Sequence, residues 1–319
     1  MRTLRLPLSW LLLASLGLPG CFQGRDFVGD VPSDGGTEVS EAPDASVGPT
    51  VRIAAFNVHR FFDTVCDSPA CGGSHYEALP SPQEFSARAN QLATAIASLN
   101  AGVVLVEEVE SQASLKALQA RLPGLPWAEL GETGAPASVD VGVLSAWPIT
   151  RFRGHREQVL RRPDGSATTF SRELLEVHLD VAGAEVVVFA AHFRSKSNDD
   201  PGRRLAEAQA AHAIVTAVAA ERPRALVVLG GDLNDVPGSP PLDALEQDGS
   251  LLRVASDRSA ADSWTYAYFG DLQAIDHLFL ARNEGGGYVS ASFRAVRDAP
   301  RGLGGSDHAA VVADFFLTP

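Results

Sequence analysis

Cysteine is scarce in this chain of 319 residues, with only three copies at positions 21, 66 and 71. A structural zinc site is not expected, because only His75 lies near Cys66 and Cys71 and the flanking residues are loop-like. Positive charge is also scarce, with 26 basic against 39 acidic residues and a net charge of −13. This balance argues against attachment to nucleic acid by bulk charge, but it leaves room for a local basic groove on an acidic enzyme.

The N-terminus has no apolar run long enough to span a membrane. Arg2 and Arg5 precede a short apolar stretch, 6–18, which is typical of a secretory signal. The following Leu18-Pro19-Gly20-Cys21 resembles the bacterial lipobox. That resemblance implies cleavage after a signal peptide at 1–20 and lipidation of Cys21. The alternative is an ordinary signal peptide that contains a cysteine. Either way we expect an exported protein, secreted or held in the bacterial cell envelope as a lipoprotein.

Residues 21–50 are rich in acidic residues, proline, serine and glycine, which predicts a disordered acidic linker. From residue 51 the pattern changes, and no repeat or strong boundary interrupts it, so 51–319 is predicted to be one domain. In an exported protein Cys66 and Cys71 would close a small disulfide loop, with a pair of free thiols as the alternative.

Apolar runs predict strands, and two segments have helical periodicity. The first helix, Pro82 to Leu99, opens on Ser81-Pro82-Gln83-Glu84, which is a capping-box pattern. The second runs from Arg203 to Ala220. Many strands with few helices favour two packed sheets with outer helices. The predicted strands are 51–58, 102–106, 139–145, 174–181, 185–191, 225–230, 275–281, 288–296 and 309–317.

Polar side chains follow several of these strands where the apolar run ends. Asp232 and Asn234 come directly after the run 225–230 and point the same way on an extended segment. A carboxylate and an amide so placed suit a hard cation and a phosphate oxygen. Three further strand ends carry candidates of the same kind: Asn57, the pair Glu107-Glu108, and His192 with Arg194 and Lys196. In addition, Asp276 interrupts the apolar run 275–281, and a buried Asp needs a partner, for which a His is suited. Ser306-Asp307-His308 stands beside the last strand.

The ordered motifs FNVH, VEEVE, FSRELLEVHL, HFRSK, GGDLND, IDHLF and GSDH resemble the endonuclease/exonuclease/phosphatase superfamily, to which deoxyribonuclease I belongs. The resemblance covers about residues 51–319. It implies an α/β fold, namely a four-layer α/β sandwich of two packed mixed β-sheets flanked by helices, with the active site at one end.

The resemblance also implies roles for individual residues. Metal binding falls to Glu108, Asp307 and Asn57; Glu107 replaces the family's usual Gln, which leaves metal number and affinity open. Catalysis falls to His192 as a cationic general acid with Asp140 as its partner, to Asp232 and Asn234, and to His308 held by Asp276. Phosphate or substrate contacts fall to Arg172, Arg194, Lys196 and Tyr266. The general base remains open between His308, Asp232 and a metal-bound hydroxide.

We therefore expect a phosphodiesterase that requires Mg²⁺, or Mn²⁺ or Ca²⁺ in its place, acts on nucleic acid as a monomer and contacts membrane only through its lipid anchor. HFRSK, Thr265-Tyr266 and the secretory signal look most like bacterial extracellular nucleases. One alternative is a sphingomyelinase-like phospholipid phosphodiesterase or another phosphatase, although the sequence shows no evident exposed aromatic hairpin. Another is an inert adhesion lipoprotein, which the completeness of the polar set disfavours.

Overall fold

The structure, a computed structural model, describes residues 48–298 and 300–318. The signal peptide, Cys21 and the linker up to residue 47 lie outside the described residues, so those expectations stay predictions. Among the helices that the structure describes, none is long and apolar enough to cross a membrane.

Strands outnumber helices in the described chain. The helices are α1 (Pro82–Ser98), α2 (Gln112–Gln119), α3 (Pro201–Glu221), α4 (Pro240–Glu246) and α5 (Ala260–Ser263), with a 3-10 turn at Val254–Asp257. The strands are β1 (Thr50–Phe61), β2 (Val103–Val109), β3 (Trp127–Gly131), β4 (Asp140–Ser145), β5 (Ile149–Gly154), β6 (Leu160–Arg161), β7 (Ala167–Thr168), β8 (Leu174–Val181), β9 (Ala184–His192), β10 (Leu226–Asp232), β11 (Leu251–Arg253), β12 (Tyr266–Tyr268), β13 (Asp271–Gln273), β14 (Asp276–Ala281), β15 (Gly286–Tyr288), β16 (Arg294–Val296) and β17 (Ala310–Leu317).

Two mixed sheets form the centre of the molecule. The first has seven strands in the order β15-β17-β1-β2-β4-β3, with β16 also paired to β17. The second has six strands in the order β11-β14-β10-β9-β8-β5. The strands β1 and β2 run parallel, as do β9 and β10, so the carboxyl ends of each pair meet at one edge of their sheet. Two small hairpins, β6-β7 and β12-β13, complete the set.

Side chains on each central strand point alternately to the two faces of their sheet, and both faces are packed against another layer. In β2, Val103 and Leu105 pack into the core between the sheets, whereas Val104 and Val106 pack against the helical layer. The strand β10 divides in the same way, because its even-numbered residues face the other sheet and its odd-numbered ones face α3 and α4. Burial on both faces explains the near-continuous apolar runs of the sequence. The predicted four-layer sandwich is confirmed.

Capping side chains set the helix starts. The Ser81 hydroxyl accepts a hydrogen bond from the Glu84 amide at 3.3 Å, and the Glu84 carboxylate accepts one from the Ser81 amide at 2.8 Å. This reciprocal pair is the predicted capping box. Helix α3 begins two residues before the predicted Arg203, because the Asp200 side chain caps it. In the structure the two sulfur atoms of Cys66 and Cys71 are joined.

The predicted strand 288–296 is wrong, since β15 and β16 are separate short strands joined by a turn. Ala291 in that turn has φ of 63°, which is outside the extended region of regular strand residues. The sequence pattern does not predict the peripheral elements, which are α2, α4, α5, β3, β5, β6, β7, β11, β12 and β13. The exposed residues of β5 lie at the edge of its sheet, so no apolar run marks it.

We expect Gly231→Ala to destabilise the fold by at least about 2 kcal/mol, because overpacking and a strained backbone each cost that much. Gly231 has φ of 137°, and an added Cβ would lie 1.9 Å from the Ala191 carbonyl oxygen. Urea unfolding measures the effect. The matched control is Gly124→Ala, where nothing lies within 4 Å. Equal unfolding midpoints for the two variants would contradict this account.

Candidate active site

Polar residues occupy the last inward positions of the central strands. Because side chains alternate along a strand, Asp232 shares the face of Leu226 and Val228, which pack between the sheets. The same parity places four more polar side chains inside the sandwich at that end. The five buried residues are Asn57, Glu107, His192, Asp232 and Asp276. The structure thus brings together side chains that the sequence spreads over more than 200 positions.

His308 forms the most direct pair at this end. Its Nδ1 lies 2.9 and 3.1 Å from the two carboxylate oxygens of Asp276. Burial lowers the pKa of His308, but the charge and hydrogen bond of Asp276, with the charges of Asp232 and Asp307, raise it to about 10. His308 is therefore an imidazolium at neutral pH, and its Nε2 is the ring nitrogen left for a substrate.

Thr265 fixes the carboxylate partner of this pair. Its hydroxyl oxygen accepts hydrogen bonds from the amides of Ile275 and Asp276, both at 3.1 Å. The Ala309 amide donates to the Thr265 carbonyl at 2.8 Å, which links this segment to the residue after His308. Thr265 is fully buried, so these bonds are made away from water.

Asp232 lies at the centre of the polar cluster. Its Oδ2 accepts a hydrogen bond from Asn57 Nδ2 at 3.1 Å and lies 3.5 Å from His192 Nε2. Its Oδ1 accepts from the Asn234 amide at 2.9 Å. Burial raises the pKa of Asp232 to about 7, and the charge of Asp276 adds to the effect. At neutral pH this carboxyl group can therefore exchange a proton.

His192 is not the cationic acid that the sequence predicted. Burial lowers the pKa of His192 well below its ordinary value, and the positive charges of Arg172 and His308 lower it further. Its Nδ1 is buried and has no hydrogen-bond partner among the described residues. His192 is thus neutral in the free protein.

Asp140 does not partner His192. It accepts hydrogen bonds from the Thr133 amide and the Ser138 hydroxyl, at 3.1 and 2.9 Å. The reason is strand parity: Val141 and Val143 face the other sheet, so Asp140 faces the helical side of its sheet. Among the described carboxylates, only Asp232 lies within 4.0 Å of a His192 ring nitrogen.

A β-bulge separates the two adjacent glutamates. In the pairing of β2 with β4 the register shifts between Glu107 and Val109, so Glu108 is the extra residue, with φ of 65°. Glu107 keeps its inward position and is fully buried, and neither of its carboxylate oxygens is hydrogen-bonded to a residue that the structure describes. Burial, followed by the charges of Asp276 and Asp232, raises the pKa of Glu107 well above its ordinary value. Glu108 instead lines a cleft.

This cleft has a volume of about 520 Å³ and opens at the polar end of the sandwich. Four of its residues have a left-handed backbone, which is rare outside glycine and concentrates at functional sites. They are His59, Arg60, Glu108 and Asn234, with φ of 56, 49, 65 and 54°. The sequence analysis gave a role to Asn57 but none to His59, although His59 ends the FNVH motif, and none to Arg60.

Glu108 and Asp307 are the carboxylates that suit a divalent cation. Both line the cleft, and each is held through one oxygen: Glu108 by the Arg60 amide at 2.8 Å, and Asp307 by His59 Nδ1 at 2.5 Å. Their second oxygens make no hydrogen bond within the described residues, and hard oxygen donors fit Mg²⁺ or Ca²⁺. Although burial opposes it, the His59 hydrogen bond and nearby positive charge keep the pKa of Asp307 low.

Asn57 fits the metal role less well. It is fully buried, its Oδ1 accepts the His59 amide at 3.0 Å, and its Nδ2 donates to Asp232. Its amide is therefore used to orient Asp232. A second group with metal-binding spacing consists of Asp232, Asp276 and His308, whose ligand atoms lie within 4.8 Å of one another.

Of the three predicted phosphate-binding cations, only Lys196 lines the cleft, where it also lies 3.1 Å from Asp235. Arg172 donates to the Phe193 carbonyl at 3.2 Å, and Arg194 donates to the Asn198 carbonyl at 2.7 Å. Asn234 Nδ2 also donates to the Phe193 carbonyl at 3.2 Å.

Glu207 on α3 holds two of these loops, although the sequence gave no sign of it. This fully buried carboxylate accepts hydrogen bonds from the Ser171 amide and the Arg194 amide, both at 2.6 Å, and from the Ser171 hydroxyl. It thereby fixes the residue before Arg172 and the segment that leads to Lys196.

Aromatic rings lead from His308 out to solvent. The Tyr266 ring centroid lies 4.9 Å from that of His308 and 6.5 Å from that of Tyr268, and Tyr268 meets Phe269 edge-on at 4.7 Å. Phe269, at the turn of the β12-β13 hairpin, is 95% exposed. An exposed aromatic hairpin is thus present at the cleft, contrary to the expectation from sequence.

Comparison with known proteins settles the family. The model of the endonuclease/exonuclease/phosphatase family matches residues 54–308. The chain belongs to this family. Members of this family are hydrolases of phosphoester bonds and generally use divalent metal ions. No curated protein matches the sequence significantly.

Solved structures of the family share the fold at low identity. A family protein from Bacteroides thetaiotaomicron has a TM-score of 0.60 and 15% identity, over 85% of this chain and 99% of that one. Truncated TDP2 from Caenorhabditis elegans has a TM-score of 0.57 and 16% identity, over 84% and 97%. TDP2 from D. rerio, complexed with a single-strand DNA product, has a TM-score of 0.57 and 15% identity, over 83% and 98%.

We expect Glu207→Gln to lower kcat/KM for bis(p-nitrophenyl) phosphate by about tenfold to a hundredfold, since small displacements of positioned groups cost that much. The variant keeps the size of the side chain but weakens its hold on the two loops. Steady-state kinetics and thermal unfolding would be measured together. The matched control is Glu221→Gln at the exposed end of the same helix. Wild-type kinetics in Glu207→Gln would rule out the positioning role.

Proposed function

We propose that this protein is a divalent-metal-dependent phosphodiesterase and that its substrate is nucleic acid. The supporting observation is the convergence in one cleft of two carboxylates with free oxygens, Glu108 and Asp307, with His308 and Asp232. Phosphodiester hydrolysis needs charge neutralisation at the phosphate, a proton acceptor for water and stabilisation of the leaving oxygen. Each requirement has a candidate group here.

The protonation states suggest how the roles are divided. A cation held by Glu108 and Asp307 would neutralise charge on the non-bridging phosphate oxygens. Asp232, with its pKa of about 7, would accept the proton from the attacking water. As the P–O bond to the leaving group breaks, the departing oxygen gains charge. His308, already an imidazolium, would donate a proton to that oxygen. His192, which is neutral, would instead orient Asp232. This division gives the acid role to His308 in place of His192, and of the candidate bases it favours Asp232.

Nucleic acid is favoured by the aromatic surface beside the cleft. Tyr266 and Tyr268 line the cleft, and the faces of such rings can stack with bases next to the scissile phosphate. A solved structure with this fold, D. rerio TDP2, holds a single-strand DNA product. That likeness is one of fold, at 15% identity.

Phospholipid is the second candidate substrate, because the hairpin also suits a lipid surface. Phe269 at its turn is almost fully exposed, and Tyr268 and Leu272 are exposed beside it. An apolar tip of this kind can enter the interfacial region of a bilayer.

The surface location remains a separate proposal. We propose that the chain is exported and lipidated at Cys21, and the joined Cys66 and Cys71 support an oxidising compartment. In a bacterial host, Cys21→Ser should remove labelling by radioactive palmitate and release the protein from the membrane fraction. Labelling that persists in Cys21→Ser would refute lipidation at this residue.

We expect His308→Ala to lower turnover of plasmid DNA by about a hundredfold or more, while the domain still folds. His308 lies at the cleft, and its loss would remove the charged donor without opening the core between the sheets. Activity and far-UV circular dichroism would be measured on the same samples. A folded variant with turnover close to wild type would show that His308 has no catalytic role.

A substrate panel separates the candidate functions. Plasmid DNA, RNA and sphingomyelin vesicles would each be offered with Mg²⁺, Mn²⁺ or Ca²⁺, and again with EDTA. We expect DNA or RNA hydrolysis that EDTA abolishes, and Phe269→Ala should weaken it less than Tyr268→Ala, because Tyr268 lines the cleft. Hydrolysis of sphingomyelin alone, lost in Phe269→Ala, would favour the lipid enzyme. No hydrolysis of any substrate would favour the binding protein.

A further inference from the structure

A second groove, separate from the cleft, is lined by four arginines. It has a volume of about 690 Å³ and lies along the β16 edge of the first sheet. Its four arginines come from three segments of the chain: Arg52 from β1, Arg258 from the segment before α5, and Arg294 and Arg297 from β16 and the residue that follows it. Such a concentration stands out in a protein with a net charge of −13.

The positive charge of the groove is only partly compensated. Arg52 pairs with Asp314 at 2.7 Å, and Arg258 Nε lies 3.6 Å from an Asp257 oxygen. Arg294 and Arg297 have no carboxylate within 4.0 Å among the described residues, although Asp262 also lines the groove. Four guanidinium groups that share one groove repel each other, so an anion there would be favoured.

Arg258 and Arg297 each have an N–H group without a hydrogen-bond acceptor in the part of the chain that the structure describes, and Arg297 is also held in place by an aromatic ring. The guanidinium of Arg297 lies over the Trp264 ring, 3.8 Å from its centroid, and donates to the Trp264 carbonyl at 2.6 Å. The Nε atoms of Arg258 and Arg297 are shielded from water and have no hydrogen-bond acceptor in the described residues. A guanidinium fixed by stacking loses little entropy when it binds a phosphate.

Strand register connects the groove to the catalytic cleft. Along β17, Asp314 pairs with Arg52, Val312 with Arg294 and Ala310 with Val296.

The same line then continues into the site, where the Ala309 amide donates to the Thr265 carbonyl and His308 forms a bridge with Tyr266. From residue 314 to residue 308 a strand extends ~20 Å. The arginine groove therefore lies within about 20 Å of the catalytic histidine, measured along β17.

We propose that this arginine groove binds backbone phosphates of a polynucleotide whose scissile phosphate lies in the cleft. The inference rests on the proposed nuclease function and specifies how the substrate extends. A path of ~20 Å spans several phosphates, since one strand of a duplex carries a phosphate every ~3.4 Å. A single free phosphate would use only one part of it. The groove also reconciles an acidic protein with a polyanionic substrate, because the attraction is local.

The test compares Arg294→Glu with Arg151→Glu, an equal charge change at an exposed position on β5 of the other sheet. Arg294 is exposed and makes no side-chain hydrogen bond in the described residues, so its replacement should leave the fold intact. Binding of a long fluorescent single-stranded oligonucleotide would be measured in EDTA by anisotropy, over a range of salt concentrations. Hydrolysis of bis(p-nitrophenyl) phosphate and of the same oligonucleotide would be measured with Mg²⁺.

Arg294→Glu should weaken oligonucleotide binding by about tenfold and reduce the salt slope by about one, whereas Arg151→Glu should change neither. The KM for the oligonucleotide should rise with kcat unchanged, and hydrolysis of the small diester should not change. Wild-type binding by Arg294→Glu, an equal loss in Arg151→Glu, or no binding by the wild-type protein would overturn the inference.

Binding that depends on Arg294 in a protein that hydrolyses neither substrate would support the groove while the proposed catalysis fails. Hydrolysis with oligonucleotide binding indifferent to Arg294 would leave the catalysis standing and overturn the groove.

Discussion

The face-to-face packing of two sheets governs the chemistry of this molecule. Inward positions must be apolar along most of each strand, because no water reaches them. At one end the same positions carry Asn57, Glu107, Asp232 and Asp276, which are as buried as the valines before them. Asn57, Asp232 and Asp276 pair with each other or with His192 and His308. Glu107 has no such partner among the described residues, and its pKa is raised well above the ordinary value because burial disfavours the charged form. The candidate active site therefore lies at one end of the sandwich, where polar side chains replace apolar ones at the inward positions of the strands.

Burial also decides the protonation states. Removing carboxylates from water raises their pKa values, and clustering them raises the values further. The same carboxylates stabilise the positive charge on the ring of His308. The two histidines diverge for this reason. His308 is held by both oxygens of Asp276, whereas His192 touches only one oxygen of Asp232 and lies near positive charge. Acid-base catalysis requires environments that give two similar groups different pKa values.

The backbone around the cleft adds a further constraint. Glu108 leaves the sheet at a bulge, and His59, Arg60 and Asn234 share its left-handed conformation. These turns place a carboxylate, an amide, an imidazole and a guanidinium around one opening, while the regular strands behind them fix the backbone. Strain of this kind is affordable because the sheets on either side fix the backbone.

The sequence by itself determined the family, the layer order and most of the residues at the site, because periodic apolar runs and polar strand ends are local signals. It located Asp232, Asp276 and His308 correctly in one cluster. Only the tertiary structure decided which of Glu107 and Glu108 reaches the cleft, since a bulge depends on the partner strand. The observed boundaries of β4 fix which of its side chains face the other sheet, and Asp140 lies on the opposite face, away from His192. The protonation of His192 and His308, the hold of Glu207 on two loops, and the arginine groove depend on contacts between distant segments, which no local pattern encodes.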